Sequence, residues 1–190
     1  MHEYSPDDSP VVLAPFERED IPDLIRWVPD ARFLMQWSGT SFSWPLDRKQ
    51  MEHYQQRGLN EPGKTFNFTA RTVEDGRRIG HVSLANVEAS RQKTGRLCRV
   101  LIGPGEARNR GLGQAMVEAV VDFGMDELGL ESIDLVVYDF NKSAIRCYEK
   151  VGFKRHRFLP KARRFQDEKW NILIMQMGRK DWPQARSGES

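Results

Sequence analysis

Residues 99–117, RVLIGPGEARNRGLGQAMV, restrict what this chain can fold into more than any other stretch. They begin as a short apolar strand, Val100-Leu101-Ile102, and break at Gly103-Pro104-Gly105. The chain then turns through Glu106-Ala107-Arg108-Asn109-Arg110 and enters a helical pattern at Gly111. Gly111 and Gly113 allow the backbone to come close to a ligand. A helix that starts there presents unpaired N–H groups and the positive end of its dipole, which together suit a phosphate. Arg108 and Arg110 bring charge to the same place. Strand, basic turn, Gly-x-Gly and helix describe a pyrophosphate seat. Taken alone, the same glycines would also serve a helix turn that does nothing but pack.

The rest of the chain supplies the context. Its 190 residues are enough for one domain with a proper core, expected over 11–182, with tails at 1–10 and 183–190. From residue 11 the pattern reads strand, helix, an irregular aromatic segment over 29–46, and a helix at 48–57 capped by Asp47. Three strands follow, at 65–71, 79–85 and 96–102, with a tight turn at Glu74-Asp75-Gly76. A helix at 111–128 leads to an Ile/Leu/Val-dense strand at 131–138, which suits a buried parallel strand. A helix at 142–150 and a last strand at 171–177 complete the order. No apolar run approaches the ~18 residues of a membrane span, and the acidic start is unlike a secretory signal. Cys98 and Cys147 have no disulfide or zinc spacing, which fits a reducing cytoplasm. A net charge of +2 gives no global reason to expect nucleic acid or a membrane as partner.

Arg108-x-x-Gly111-x-Gly113 resembles the Arg/Gln-x-x-Gly-x-Gly/Ala signature of the GNAT superfamily of acetyl-CoA-dependent N-acetyltransferases. A second motif follows in the right order: Asn141-x-x-Ala144-x-x-x-Tyr148-x-x-x-Gly152-Phe153 is similar to that family's Asn-x-x-Ala-x-x-x-Tyr-x-x-x-Gly-Phe. The Trp44-Pro45-Leu46 element and the Ile174 to Trp182 ending resemble the ribosomal-protein acetyltransferase branch in style. The resemblance implies an α/β (α+β) fold with a mixed sheet of about seven strands and about four helices. The sheet would be splayed between its fourth and fifth strands, here 96–102 and 131–138, with acetyl-CoA in the split.

The resemblance also assigns roles. Backbone amides over Arg108, Asn109, Arg110, Gly111, Leu112, Gly113 and Gln114 would hold the pyrophosphate. Leu101, Ile102 and Gly103 would pair with the pantetheine arm as an added strand, an amide such as Leu101's polarising the thioester carbonyl. Tyr148 would protonate the departing thiolate. Asn141 would cap the last helix and hold the pantetheine amides. Arg146, with Lys142, is a candidate for the 3′-phosphate end.

No general base carries over. Relatives place glutamates where Val136 and Leu97 stand here, and neither side chain can take a proton. Water, Asp134, His81 or Glu88 remain open for that task. This favours an acceptor whose amine pKa is already low. Trp37 and Trp44 would wall an acceptor pocket or cover the sheet edge. A polyamine or aminoglycoside pocket would want carboxylates beside these aromatics, and residues 31–46 hold none. The expected activity is acetyl transfer to a primary amine, on a protein N-terminus or a small molecule, without a metal. A silent acyl-CoA-binding sensor is the alternative, and a homodimer stays open.

Overall fold

The computed structural model describes residues 2–88, 91–108 and 110–182. Asn109 and the segment 183–190 lie outside the described residues. Strand β1 (Val11–Pro15) leads through a single turn at Arg18–Asp20 into helices α1 (Ile21–Arg26), α2 (Ala31–Ser38) and α3 (Arg48–Asn60). Strands β2 (Phe66–Thr72), β3 (Arg78–Glu88) and β4 (Thr94–Ile102) come next, then α4 (Leu112–Asp122), β5 (Ser132–Tyr138) and α5 (Lys142–Val151). A long hairpin, β6 (Lys154–Phe165) and β7 (Glu168–Gly178), closes the order.

All strands join one seven-stranded sheet in the order β1-β2-β3-β4-β5-β7-β6. Every pairing is antiparallel except that of β4 with β5. The parallel pair is short. It runs from Thr94↔Ser132 to Leu97↔Leu135 and then ends, so Cys98–Ile102 and Val136–Tyr138 diverge. This is the splayed mixed sheet that the resemblance implied, flanked by five helices rather than about four.

The extra helix is α2, in the stretch read from sequence as irregular. Asp30 caps it, its Oδ1 accepting the Phe33 N–H at 2.7 Å, and Gly39 ends it at φ 59°. Phe33, Leu34 and Trp37 already carry the i, i+1, i+4 spacing of a helix face, but over only eight residues ended by Gly39. Leu34 packs into the cluster under α1 and α3, while its neighbour Met35 joins Tyr138, Trp170 and Ile172. Thus α2 straddles the fork between the two halves of the sheet. Helix α4 is also shorter than its sequence pattern, since a π turn over Phe123–Glu127 replaces its last stretch. That turn holds Phe123 against Phe66, Phe68 and Tyr4, with ring centroids 5.1, 5.2 and 5.4 Å away.

The sheet has a core on each face. Phe68, Ala70, Val82, Leu84 and Leu97 point to the face covered by α4 and α5. The alternate residues Asn67, Thr69, His81 and Ser83 point the other way. They are polar, yet all are buried beneath the α1–α3 layer. Each has a partner there: the Thr69 hydroxyl, for one, donates to Asp20 Oδ2 at 2.6 Å. Asp20 also lies 2.5 Å from Arg78 Nε, so its buried charge is matched.

Candidate functional site

Two structural features converge on the fork. The first is the turn from β4 into α4. Gly111 is the N-cap of α4 at φ 79°, a left-handed conformation that glycine adopts without cost. The first regular helical bond is Ala115 N–H to Gly111 O, at 3.0 Å. The amides of Leu112, Gly113 and Gln114 precede it, and no side chain among the described residues caps them. A Cβ on Gly113 would meet nothing closer than Ile102 Cγ1 at 3.5 Å, so the first turn lies close to the end of β4. Arg110 and Gly111 are exposed beside it. Free amides, the helix dipole and a nearby cation are the donor set a pyrophosphate requires.

Arg108 is folded back onto the strand end, its Nε donating to Ile102 O at 3.2 Å and its Nη2 to Gly103 O at 3.1 Å. Gly103 donates its N–H to Ile79 O at 2.9 Å, and Leu101 stands opposite His81 in the β3 ladder. By antiparallel alternation Leu101 turns its N–H towards β3, and Ile102 turns its own into the split. Gly103 cannot carry a side chain, because a Cβ there would stand inside the Trp27 indole.

The second feature is α5. Asn141 caps it, Oδ1 accepting the Ala144 N–H at 3.3 Å and the Ser143 hydroxyl at 3.2 Å. The helix carries Arg146 outward, exposed, and Tyr148 inward. The Tyr148 ring is buried in the main core, against Phe153, and its hydroxyl bonds to no described residue. Burial pushes this phenol's pKa well above its ordinary value of 10.0, and the neighbouring Cys147 and Cys98 thiols push the same way. The group therefore keeps its proton throughout the neutral range. Cys98 is the first residue of β4 past its pairing with β5.

On the other face lies a polar network that sequence reasoning did not assemble. Tyr54 of α3 donates to Asn67 Oδ1 at 2.7 Å, and its oxygen lies 3.0 Å from His81 Nε2 and 3.1 Å from Ser83 Oγ. Arg99 spreads over the Tyr54 ring at 4.9 Å. The β3–β4 register slips by one residue between these points, and Arg99 sits in the slip at φ 53°. That is a β-bulge, which re-aims a side chain out of the strand's alternation. A cleft of about 330 Å³ opens here, lined by Ser41, Phe42, Tyr54, Asn67, Cys98 and Arg99 among others. Cys98 lines this cleft and is the residue at which β4 leaves β5, so the cleft reaches the fork. The signals in sequence were polar residues at alternate positions of two successive strands, and an arginine inside an apolar one.

The remaining sequence candidates scatter. Trp37 stacks on Phe42 at 6.0 Å and meets the His81 ring edge-on at 6.0 Å. Trp44 is 47% exposed and lies outside the cleft lining. Asp134 is gripped by Arg96, with Arg96 Nε and Nη2 donating at 2.7 and 2.5 Å. Val136 is exposed on β5 just past the last β4–β5 pair, and Leu97 is buried. Glu88, at the far end of β3, accepts the Arg91 N–H at 3.3 Å.

His81 is 1% exposed, and burial, followed by the Arg99 charge, lowers its pKa from 6.5 to about 3. It is a neutral hydrogen-bonding group at pH 7. The depressed value ties stability to pH. The unfolded chain takes up a proton near pH 6.5 that the folded chain refuses until about 3. Stability is therefore whole above the upper value and declines as pH falls towards the lower one, by up to ~1.4 kcal/mol per pH unit. Urea denaturation between pH 7.5 and 5 should show this slope in the native chain. His81→Gln should flatten it.

These features define a protein built on an open-forked sheet, with a glycine-capped helix leaving the end of β4 and a buried phenol on α5. The acetyltransferase (GNAT) domain profile matches residues 11–154, and the chain belongs to that family of acetyltransferase enzymes. A stretch of 88 residues, 46% of this chain, is 31% identical to mycothiol acetyltransferase of Propionibacterium freudenreichii subsp. shermanii. The match spans only 23% of that relative. The fold is similar to that of spermidine N-acetyltransferase from Vibrio cholerae in complex with CoA and spermine, with a TM-score of 0.77 and 18% identity, covering 92% of this chain and 98% of that one. A dodecameric structure of a Vibrio cholerae spermidine N-acetyltransferase in an intermediate state gives 0.74 at 16% identity, covering 95% and 100%.

Proposed function

We propose that this chain transfers an acetyl group from acetyl-CoA to a primary amine by direct attack within a ternary complex. The observation that carries this reading is the juxtaposition of an α4 N-terminus that no described side chain caps, a diverging β4 edge, and a phenol that keeps its proton. The amides of Gly111 to Gln114, with Arg110 and the undescribed Asn109, receive the pyrophosphate, while Arg108 braces the strand end. The strand edge from Leu101 to Gly103 receives the pantetheine arm, with Asn141 opposite and Arg146 towards the 3′-phosphate. Bound there, acetyl-CoA supplies an activated acetyl carbon and a thiol leaving group.

The chain's own residues do the rest. A split-facing amide of β4, such as that of Ile102, stabilises charge on the carbonyl oxygen. Tyr148 gives its proton to the sulfur. The amine's proton passes to water, since Val136 and Leu97 leave no carboxylate at the fork and Asp134 is bound by Arg96. Buried Tyr54 and His81, with half-buried Trp37 edge-on to His81, form the floor of the acceptor side.

Sensing of acyl-CoA without turnover is the rival reading, which those two apolar positions favour; the free Tyr148 hydroxyl opposes it, because a binder needs no acid. Kinship to the ribosomal-protein branch, a homodimer and a cytoplasmic setting belong to this proposal too. Calorimetry with acetyl-CoA, dephospho-CoA and ATP tests it. Tight binding of acetyl-CoA, weaker binding of dephospho-CoA and none of ATP are expected. ATP binding without CoA binding would overturn it.

A further inference from the structure

Resting on the acetyltransferase reading, we infer that the acceptor amine carries a carboxylate, which Arg99 binds in the cleft beneath α3. Arg99 is held for such a role. Its guanidinium lies over Tyr54 at 4.9 Å and Phe42 at 5.7 Å, so the two rings fix its plane. Its terminal nitrogens reach only hydroxyls, Ser83 Oγ at 3.4 Å and Ser41 Oγ at 3.3 Å, both long contacts. Its Nε is buried with no hydrogen-bond partner. No carboxylate pairs with it among the described residues, whereas Arg96 is matched to Asp134 and Arg78 to Asp20. A planar guanidinium with unspent donors is the natural fork for a carboxylate.

The backbone points to the same conclusion. Arg99 sits at φ 53°, a conformation that favours glycine, and the strand bulges to place it there. Strain of this kind persists where it aims a side chain at a task. The lining is also basic: among the described residues Arg57 and Arg99 face the single acid Glu61. A polyamine would bring cations against two arginines, and like charges brought together in a cleft suppress binding. The spermidine enzymes therefore share this fold while this cleft selects a different acceptor. The amine itself lies towards Cys98, where β4 leaves β5.

The test is an acetyl-transfer assay on the whole chain with acetyl-CoA. The acceptors are α-, β- and γ-amino carboxylates, the amide of each, and spermidine. The carboxylates should exceed their amides in kcat/KM by at least about 30-fold, with spermidine no better than the amides. Arg99→Gln should raise KM for the best carboxylate about 100-fold, far more than for its amide. Arg99→Lys should recover part of the loss, and acetyl-CoA affinity serves as the folding control for both variants. Preference for an amide or for spermidine overturns the inference, as does an equal shift of KM for carboxylate and amide in Arg99→Gln. Acetyl-CoA binding without transfer to any of these amines also counts against it. Failure to bind acetyl-CoA at all strikes the acetyltransferase reading itself, and this inference with it.

Discussion

Tyr148→Phe is expected to lower kcat about 100-fold at neutral pH while leaving acetyl-CoA affinity unchanged, the loss typical of a removed general acid. The variant is unusually clean. The hydroxyl makes no hydrogen bond to any described residue, so its removal strands no partner, and the ring keeps its place against Phe153. Melting temperature should therefore stay close to the native value. The burial that holds the phenol's pKa above its ordinary value also means that no alkaline limb near pH 10 should come from this group. Steady-state rates across pH 6–10, with calorimetry of acetyl-CoA binding, decide the matter. Full native kcat in the phenylalanine variant would remove Tyr148 from the chemistry.

The second large effect is on binding. Gly111→Glu should weaken acetyl-CoA at least about 100-fold, because it sets a carboxylate at the helix N-terminus where the phosphates must sit. Nothing lies within 4 Å of a Cβ built at this position, so no clash contributes. The backbone does contribute: at φ 79° an L side chain costs roughly 1–2 kcal/mol, a few degrees in melting temperature for a chain of this size. Gly111→Ala carries that strain without the charge, and separates the two terms. It should match the glutamate variant in melting temperature while keeping most of the affinity for acetyl-CoA. Equal acetyl-CoA affinity in the native chain and in Gly111→Glu would move the pyrophosphate elsewhere.

Parts of this architecture were legible from short-range patterns. The β4–turn–α4 junction is carried by glycines, a proline and arginines within a few positions, and local rules of backbone freedom and helix ends suffice to read it. Asn141 reads as a cap because capping is a contact with a residue only three places away. The strand at 131–138 reads as buried from its run of apolar residues. Elsewhere short-range rules do not suffice. Alternation in β2 and β3 would ordinarily send Asn67, Thr69, His81 and Ser83 to water, but the α1–α3 layer covers that face and Tyr54, Asp20 and Arg99 bond to them. Helix α2 was hidden because its apolar spacing, Phe33, Leu34 and Trp37, spans only about two turns of helix inside a longer aromatic segment.

The sequence by itself determined the family, the glycine turn into α4 and the place of Tyr148 on α5, since each rests on residues close together in the chain. Tertiary structure alone decided the cleft beneath α3. The bulge at Arg99 appears only when β3 and β4 are laid in register, and the cleft exists only when α3 closes over that bulge from more than 30 residues away. Whether an arginine in a strand is paired or open depends on which carboxylates the fold brings near it. Here the fold brings Asp134 to Arg96 and Asp20 to Arg78, and leaves Arg99 facing the cleft.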